Sequence, residues 1–108
     1  MNWINLTNMS ELYKIKDDSF QNHQFIFKHS TRCSISKMVL NRFESNNDSV
    51  FLSIYLLDLL NYRNLSNQIA NDFNVKHESP QILVIKDGKC HTHLSHTSIY
   101  QFKLFELI

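Results

Sequence analysis

The sequence is poor in glycine and proline, with one of each among its 108 residues, and it has only two cysteines. A long flexible or proline-rich linker is therefore excluded, and we expect a single domain over residues 1–108. The basic residues are dispersed and the formal net charge is +1, so no basic stripe suggests a nucleic-acid partner. No run approaches the roughly 18 apolar residues of a membrane-spanning helix.

Two further absences bear on where the protein acts. The first residues lack the basic region and long apolar stretch of a signal peptide, so we expect a cytoplasmic protein. In a reducing cytosol, Cys33 and Cys90 are not expected to form a structural disulfide. Apolar residues are plentiful instead, at 43% with eight phenylalanines and four tyrosines, which is enough for a packed core.

Hydrophobic periodicity predicts an alternation of helices and strands. Apolar residues recur at helical spacing in some segments and form short continuous runs in others, and Asp87-Gly88 is a strong hairpin signal. The predicted helices are residues 8–18 capped by Thr7, residues 34–46, a segment carrying Leu65, Ile69 and Phe73 that ends at Asn74, and a final helix capped by Thr97 that carries Ile99, Phe102 and Phe105. The predicted strands are residues 23–28, 50–57, 81–86 and 89–94. Inward-facing positions of the helix over residues 34–46 should be Ile35, Met38, Val39 and Phe43.

This order of elements predicts an α/β fold. A β-α-β start implies a right-handed parallel crossover, and the later hairpin adds an antiparallel edge. We therefore expect a four-stranded mixed sheet with helices on both faces, which resembles the architecture of thioredoxin-like proteins.

Cys33 stands at the predicted junction between a strand and a helix. A helix N-terminus stabilises negative charge, and the thiolate is the reactive form of cysteine. Lys28 and Arg32 add positive charge to the same segment. We expect a reactive thiol; the alternative is a buried, inert cysteine, against which the polar neighbours Arg32 and Ser34 argue.

Ser36 stands three residues after Cys33, where a dithiol Cys-x-x-Cys site has its second cysteine. Serine cannot resolve a mixed disulfide, so the chemistry must be monothiol, and a thiol from elsewhere must complete the cycle. We expect the Ser36 hydroxyl to donate a hydrogen bond to the thiolate, although it could instead satisfy a first-turn amide. Six residues before Cys33, where a dithiol thioredoxin carries a buried carboxylate, this chain has Phe27.

Ser79-Pro80 immediately precedes the predicted strand over residues 81–86. Thioredoxin-like folds place a cis proline there, opposite the nucleophile, which would leave the Ser79 backbone free to pair with an extended substrate segment. An ordinary trans proline opening an edge strand is the alternative. The neighbouring His77 should also lie near the thiol, where it could tune Cys33 or substrate binding.

Other polar residues are interpreted as structural. Cys90 follows the hairpin turn, on the order of 20 Å from Pro80 at ~3.3 Å per residue, so direct pairing with Cys33 is not expected. Asp58 is either a surface carboxylate that starts a loop or a group that caps the turn, and we favour a structural role. A metal site is possible in a His-x-His-x-x-His pattern, but no carboxylate accompanies it, and we favour edge-strand histidines over ligands. These histidines are His91, His93 and His96.

Two segments resemble a known family: FKHSTRCSIS at residues 27–36, and residues 58–89, which include KHESPQILVIKDGK. They resemble the monothiol bacilliredoxins of the bacillithiol system, also called the YtxJ family, over nearly the whole chain. The resemblance implies a thioredoxin-like fold and removal of bacillithiol from mixed disulfides on cytoplasmic proteins. Bacillithiol would then be a thiol substrate, and no cofactor or metal would be needed.

The resemblance also implies roles for single residues. Cys33 matches the nucleophile, which would hold bacillithiol until a second thiol recycles it. The family usually has proline where Ser34 stands, so the helix start should be less rigid here and gain one amide donor. It usually has glycine where Asn74 stands. The supporting residues are expected to be Arg32, Ser34 and Ser36 for stabilising the thiolate, and Thr31, Ser79 and Pro80 for binding substrate.

Two other function classes compete with this interpretation. One is a redox-inert thioredoxin-like binding module, in which Cys33 only packs; slow alkylation of Cys33 would favour it. The other is a metal or iron–sulfur carrier, by analogy with monothiol glutaredoxins; a colourless, metal-free purified protein would exclude it.

Overall fold

A five-stranded mixed sheet forms the centre of the computed structural model, which describes residues 1–108. Its strands are β1 Asn2–Asn5, β2 Gln24–His29, β3 Ser53–Asp58, β4 Gln81–Lys86 and β5 Lys89–Ser95. The helices are α1 Met9–Asp18, α2 Ser34–Asn46 and α3 Arg63–Phe73, followed by two 3₁₀ segments, His96–Gln101 and Leu104–Leu107. The strand order across the sheet is β1-β3-β2-β4-β5. None of the helices is long and apolar enough to cross a membrane.

The sheet has a parallel half and an antiparallel half. β3 pairs in parallel with both β1 and β2, whereas β4 pairs antiparallel with β2 and β5. Apolar residues of α1 and α3 cover one face, and those of α2 and the 3₁₀ segments cover the other. The predicted α/β architecture, a mixed sheet with helices on both faces, is thus confirmed.

Strand β2 is buried on both faces of the sheet, and its side chains alternate between the two helical layers. Phe25 and Phe27 belong to the core under α2, while Ile26 belongs to the core under α1 and α3. Phe27 packs edge-on against Trp3, with ring centroids 5.8 Å apart. The position that could have held a buried carboxylate therefore lies in an aromatic cluster.

Several local predictions are confirmed. Helix α2 and strand β4 have the predicted bounds, because the periodic apolar face of α2 and the continuous apolar run of β4 each end at polar residues. Asn74 ends α3 in the left-handed conformation, with φ 52°. Asp87 and Gly88 both have positive φ, as the tight turn between β4 and β5 requires.

The sheet has five strands, not the four predicted, because Asn2–Asn5 pairs with β3 as an edge strand. This strand is too short and too polar to stand out by periodicity. The strand predicted over residues 50–57 begins only at Ser53. The loop before it leaves the Phe51 side chain fully exposed, so an apolar run did not by itself define the strand.

The predicted C-terminal helix is wrong. The residues after β5 form two short 3₁₀ segments separated by an extended Phe102. Ile99 is buried as predicted, but Phe102 and Phe105 are 41% and 66% exposed. Leu104 and Leu107 fill the core in their place, because the extended break changes which side chains face inward.

Two predictions about helix starts need correction. The cap of α1 is Asn8, whose side chain accepts the Glu11 N–H at 2.9 Å, and not Thr7. On α2, Ile35 is 59% exposed rather than buried. The inward face of α2 instead contains Ser36, Val39 and Phe43, since Ser36 is drawn inward by polar partners described below.

Candidate functional site

Cys33 is the N-cap residue of α2. Its backbone is extended, with φ −102° and ψ 119°, and no side chain caps the helix. The Cys33 carbonyl accepts the Lys37 N–H, while the N–H groups of Ser34, Ile35 and Ser36 have no acceptor within the protein. Cys33 is half-buried, and it therefore lies beside three unpaired amides at the positive end of a helix.

The Ser36 hydroxyl forms its hydrogen bonds with groups other than the Cys33 sulfur. Ser36 is fully buried, its Oγ lies 2.7 Å from Nδ1 of His29, and it accepts the Ser30 N–H at 3.2 Å. The expected hydrogen bond from Ser36 to the sulfur is not formed. Burial lowers the pKa of His29 below its ordinary 6.5, opposed by the charge of Asp58, and the neutral ring can accept a hydrogen bond from the Ser36 hydroxyl.

This contact fixes the loop that carries the thiol. Ser30 and Ser36 bracket Cys33 in sequence, and the Ser36 oxygen ties them together beneath it. The Cys33 N–H also donates to the Ser30 carbonyl at 3.2 Å. Sequence reasoning missed His29; a histidine at the end of an otherwise apolar strand was the available signal.

The remaining residues around Cys33 face solvent. Thr31, Arg32 and Ser34 are exposed, and none of their side chains forms a hydrogen bond or an ion pair within the protein. These side chains lie close to Cys33 in the sequence, and no hydrogen bond or ion pair fixes their conformation. Each is thus placed to meet an incoming substrate, and the predicted roles of these residues stay predictions.

Ser79-Pro80 lies at the same end of the sheet as Cys33. The peptide bond is cis, and Pro80 is directly followed by Gln81, which pairs with Lys28 near the end of β2. Cys33 follows the end of that same strand. The backbone N–H and C=O of Ser79 form no hydrogen bond within the protein, so both remain available to another chain.

Lys28 does not contribute charge at Cys33 as expected. It is fully buried on the α3 side of the sheet, where Nζ donates to the Ser66 carbonyl at 3.1 Å and lies 3.2 Å from Nδ1 of His77. Burial lowers its pKa to about 8. His77 is likewise engaged with Lys28 and Ser66, and it forms no hydrogen bond with Cys33.

Cys90 lies at the opposite end of the sheet. It pairs with Ile85, which itself pairs with Gln24 at the start of β2, so the length of a six-residue strand, about 17 Å, separates Cys90 from the Cys33 end. Both cysteines are free. Burial raises the pKa of the Cys90 thiol, which disfavours its reactive thiolate form.

The other polar residues singled out in the sequence have structural surroundings. Asp58 accepts the Leu60 N–H at 3.2 Å and an Asn61 amide hydrogen at 2.7 Å, so of the two alternatives it is the turn-capping group. His91 and His93 are exposed on β5. No three His, Cys, Asp or Glu side chains are arranged to hold a metal ion.

No surface cleft is lined by Cys33, Ser79 or Pro80. The thiol lies on an open part of the surface, beside the exposed apolar side chain of Ile35. Such a surface can accept an extended segment of another protein more readily than it can enclose a small molecule.

Comparison with known proteins identifies the family. The family model described as monothiol bacilliredoxin BrxC matches residues 4–104. The chain belongs to the monothiol bacilliredoxin family. It is therefore a thiol–disulfide oxidoreductase, and the resemblance seen in its sequence is confirmed.

Solved structures agree on the fold of this bacilliredoxin. A protein described as a candidate oxidoreductase with a thioredoxin fold matches with a TM-score of 0.86 and 28% identity, covering 97% of this chain and 92% of the other. Thioredoxin NaTrxh from Nicotiana alata matches at TM-score 0.70 and 16% identity, covering 93% and 85%. Malassezia sympodialis thioredoxin matches at 0.67 and 13%, covering 94% and 90%. The predicted thioredoxin-like fold is thus confirmed.

Proposed function

We propose that this bacilliredoxin removes bacillithiol from mixed disulfides on cytoplasmic proteins, with Cys33 as the only nucleophile. Family membership supports the reaction class. The position of Cys33 at an uncapped helix start supports its assignment as the nucleophile. Exchange needs a thiolate in line with the target disulfide, and the unpaired amides of α2 stabilise negative charge there.

The proposed exchange leaves the number of disulfide bonds unchanged. The Cys33 thiolate attacks the bacillithiol sulfur, a bond forms between these two sulfurs, and the bond to the target protein breaks. The target sulfur leaves as a thiolate and takes a proton from water. A second thiol then attacks the bacillithiol sulfur held on Cys33 and returns Cys33 to its thiolate form.

The surroundings of Cys33 favour a protein-borne substrate. The Ser79 backbone has both hydrogen-bonding groups free, as an extended chain would require for pairing in the manner of an added strand. Thr31 and Arg32 are exposed on the same loop as the thiol, where they can contact the bacillithiol moiety or the flanking protein surface. Ser34 contributes a free amide at the helix start that directly follows Cys33.

The test compares three proteins acting on a bacillithiol-modified target. Wild type and Cys90→Ser should remove the adduct at equal rates, because the Cys90 thiol lies at the far end of the sheet. Cys33→Ser should remove none above the uncatalysed rate. Adduct loss is followed by intact-mass analysis of the target, and equal loss with Cys33→Ser and wild type would refute the proposal.

A further inference from the structure

Lys28 is a buried ammonium without an ionic partner. Its side chain is fully inaccessible, and the ion pairs of the protein are formed by other residues. Its hydrogen bonds reach the carbonyl of Ser66 at 3.1 Å and Nδ1 of His77 at 3.2 Å. Taking a charge out of water without a counter-charge is costly, so the arrangement needs a reason other than stability.

His77 connects this charge to the substrate-binding backbone. It belongs to the segment between α3 and β4, two residues before Ser79. The same segment is held a second time, where the Gln81 side chain donates to the Lys76 carbonyl at 3.0 Å. Ser79, by contrast, has no hydrogen bond of its own, either from its backbone or from its buried hydroxyl.

We propose that Lys28, Ser66 and His77 are positioning residues, which hold the free backbone of Ser79 where a protein substrate can pair with it. This inference rests on the proposed function. Lys28 lies on a central strand and Ser66 on α3, so both anchors belong to regular elements of the fold. The imidazole between them ties the segment that carries Ser79 to these two elements.

The anchor depends on the protonation state of His77. The Lys28 ammonium can only donate and lies 3.2 Å from Nδ1, so this nitrogen must accept, and the ring is neutral with its hydrogen on Nε2. Ser66 Oγ also lies 3.2 Å from Nδ1. Protonation would put a hydrogen on Nδ1 and a second positive charge beside Lys28. The hydrogen bond from Lys28 would then be lost, because Nδ1 could no longer accept it.

The charges facing His77 favour the neutral ring. Burial is the largest influence and lowers the pKa of His77 below its ordinary 6.5, and Lys28 on β2 and Arg63 on α3 lower it further. Glu78, in the same segment, acts in the opposite direction. The anchor is therefore intact at neutral pH and is released as the pH falls below 6.5 through the pKa of the folded protein.

The experiment separates docking from thiol reactivity, using the Cys90→Ser background so that only Cys33 reacts. At each pH, the rate of adduct removal from a bacillithiol-modified protein is divided by the rate of Cys33 alkylation by iodoacetamide, which does not need the Ser79 backbone. With His77 intact, this ratio should fall as the pH is lowered from 7.5 into the acid range where His77 of the folded protein becomes protonated, a range that is read from its ring signal by NMR. In His77→Asn, which keeps a non-titrating acceptor near the place of Nδ1, the ratio should stay near its neutral value.

Lys28→Met provides the second arm. It removes the donor but preserves an apolar chain of similar length, and the ratio at pH 7.5 should drop about tenfold. A pH-independent ratio with His77 intact, or an unchanged ratio in folded Lys28→Met, would overturn the inference. If Lys28→Met does not fold, the comparison with His77→Asn decides alone. Failure of the parent protein to remove any adduct at pH 7.5 would instead refute the proposed function, and this inference with it.

Discussion

Lys28 shows what a single buried charge costs this fold. The ammonium has hydrogen-bond acceptors but no carboxylate, and burial moves its pKa from 10.5 to about 8. Such a shift corresponds to about 3 kcal/mol against the folded state at pH 7. Because the folded pKa is depressed, the unfolded chain binds more protons between pH 8 and 10.5, and stability rises with pH across that window.

Lys28→Met should therefore make the protein more stable while impairing docking. Part of the gain is offset because Ser66 and His77 lose a donor, so we expect the free energy of unfolding at pH 7 to increase by about 2 kcal/mol. Urea unfolding at pH 7 and pH 10 measures it, and the advantage over wild type should shrink at the higher pH.

The control for this substitution is Lys89→Met, in which an exposed lysine is replaced. It should change stability little at either pH. A Lys28→Met protein that is less stable than wild type at pH 7 would show that the buried ammonium is net stabilising.

At the scale of residues, the sequence placed the thiol but not its neighbours. The position of Cys33 follows from local signals, the end of an apolar strand and the start of a periodic helix. The hydrogen-bond partners of Ser36 and Lys28 depend on the face of the sheet on which each side chain lies. They also depend on which polar groups of the neighbouring elements lie on that face. Ser36 meets His29, and Lys28 meets α3, neither of which could be read from spacing alone.

At the scale of elements, the backbone at the start of α2 would accommodate a proline at position 34, where this chain has serine. Ser34 is the first helical residue, is exposed, and its N–H has no acceptor in the protein. Cys33 already has the extended backbone that a residue before proline requires. Proline is favoured at this first position because its fixed φ suits the helix and the N–H that it lacks has no partner within the helix.

Ser34→Pro should therefore stabilise the protein by about 0.5–1 kcal/mol, chiefly by restricting the unfolded chain. Thermal unfolding measures it, with Ser34→Ala as the matched control that retains the N–H and the flexible φ. A melting temperature of Ser34→Pro at or below that of Ser34→Ala would show that the helix start is strained by proline.

The elements that were predicted well are those whose pattern and boundaries agree. Helix α2 has both a periodic face and a polar end, and β4 lies between Pro80 and the Asp87-Gly88 turn. Strand β1 was missed because four residues with two asparagines carry little periodicity. The final helix was wrong because Ile99, Phe102 and Phe105 recur every three residues, and the extended backbone at Phe102 interrupts the helix.

At the scale of the molecule, the sheet brings separate segments together and keeps others apart. Cys33 follows the last residue of β2 and Ser79-Pro80 precedes the first residue of β4, so the antiparallel pairing of these strands places both at one end of the sheet. Pairing of β4 with β5 places Cys90 at the other end. The mixed topology was predictable from the order of elements, and with it the isolation of Cys33. Monothiol chemistry is thus a consequence of topology as well as of Ser36.

Adduct transfer to wild-type protein tests that central claim most directly. A bacillithiol-modified target is mixed with a stoichiometric amount of the bacilliredoxin, the exchange is stopped with acid at intervals, and both intact masses are recorded. The account predicts that the bacilliredoxin gains one bacillithiol, on the peptide containing Cys33, as the target loses one. Release of the adduct with no gain of mass, or a bacilliredoxin lighter by two hydrogens through a Cys33–Cys90 disulfide, would contradict it.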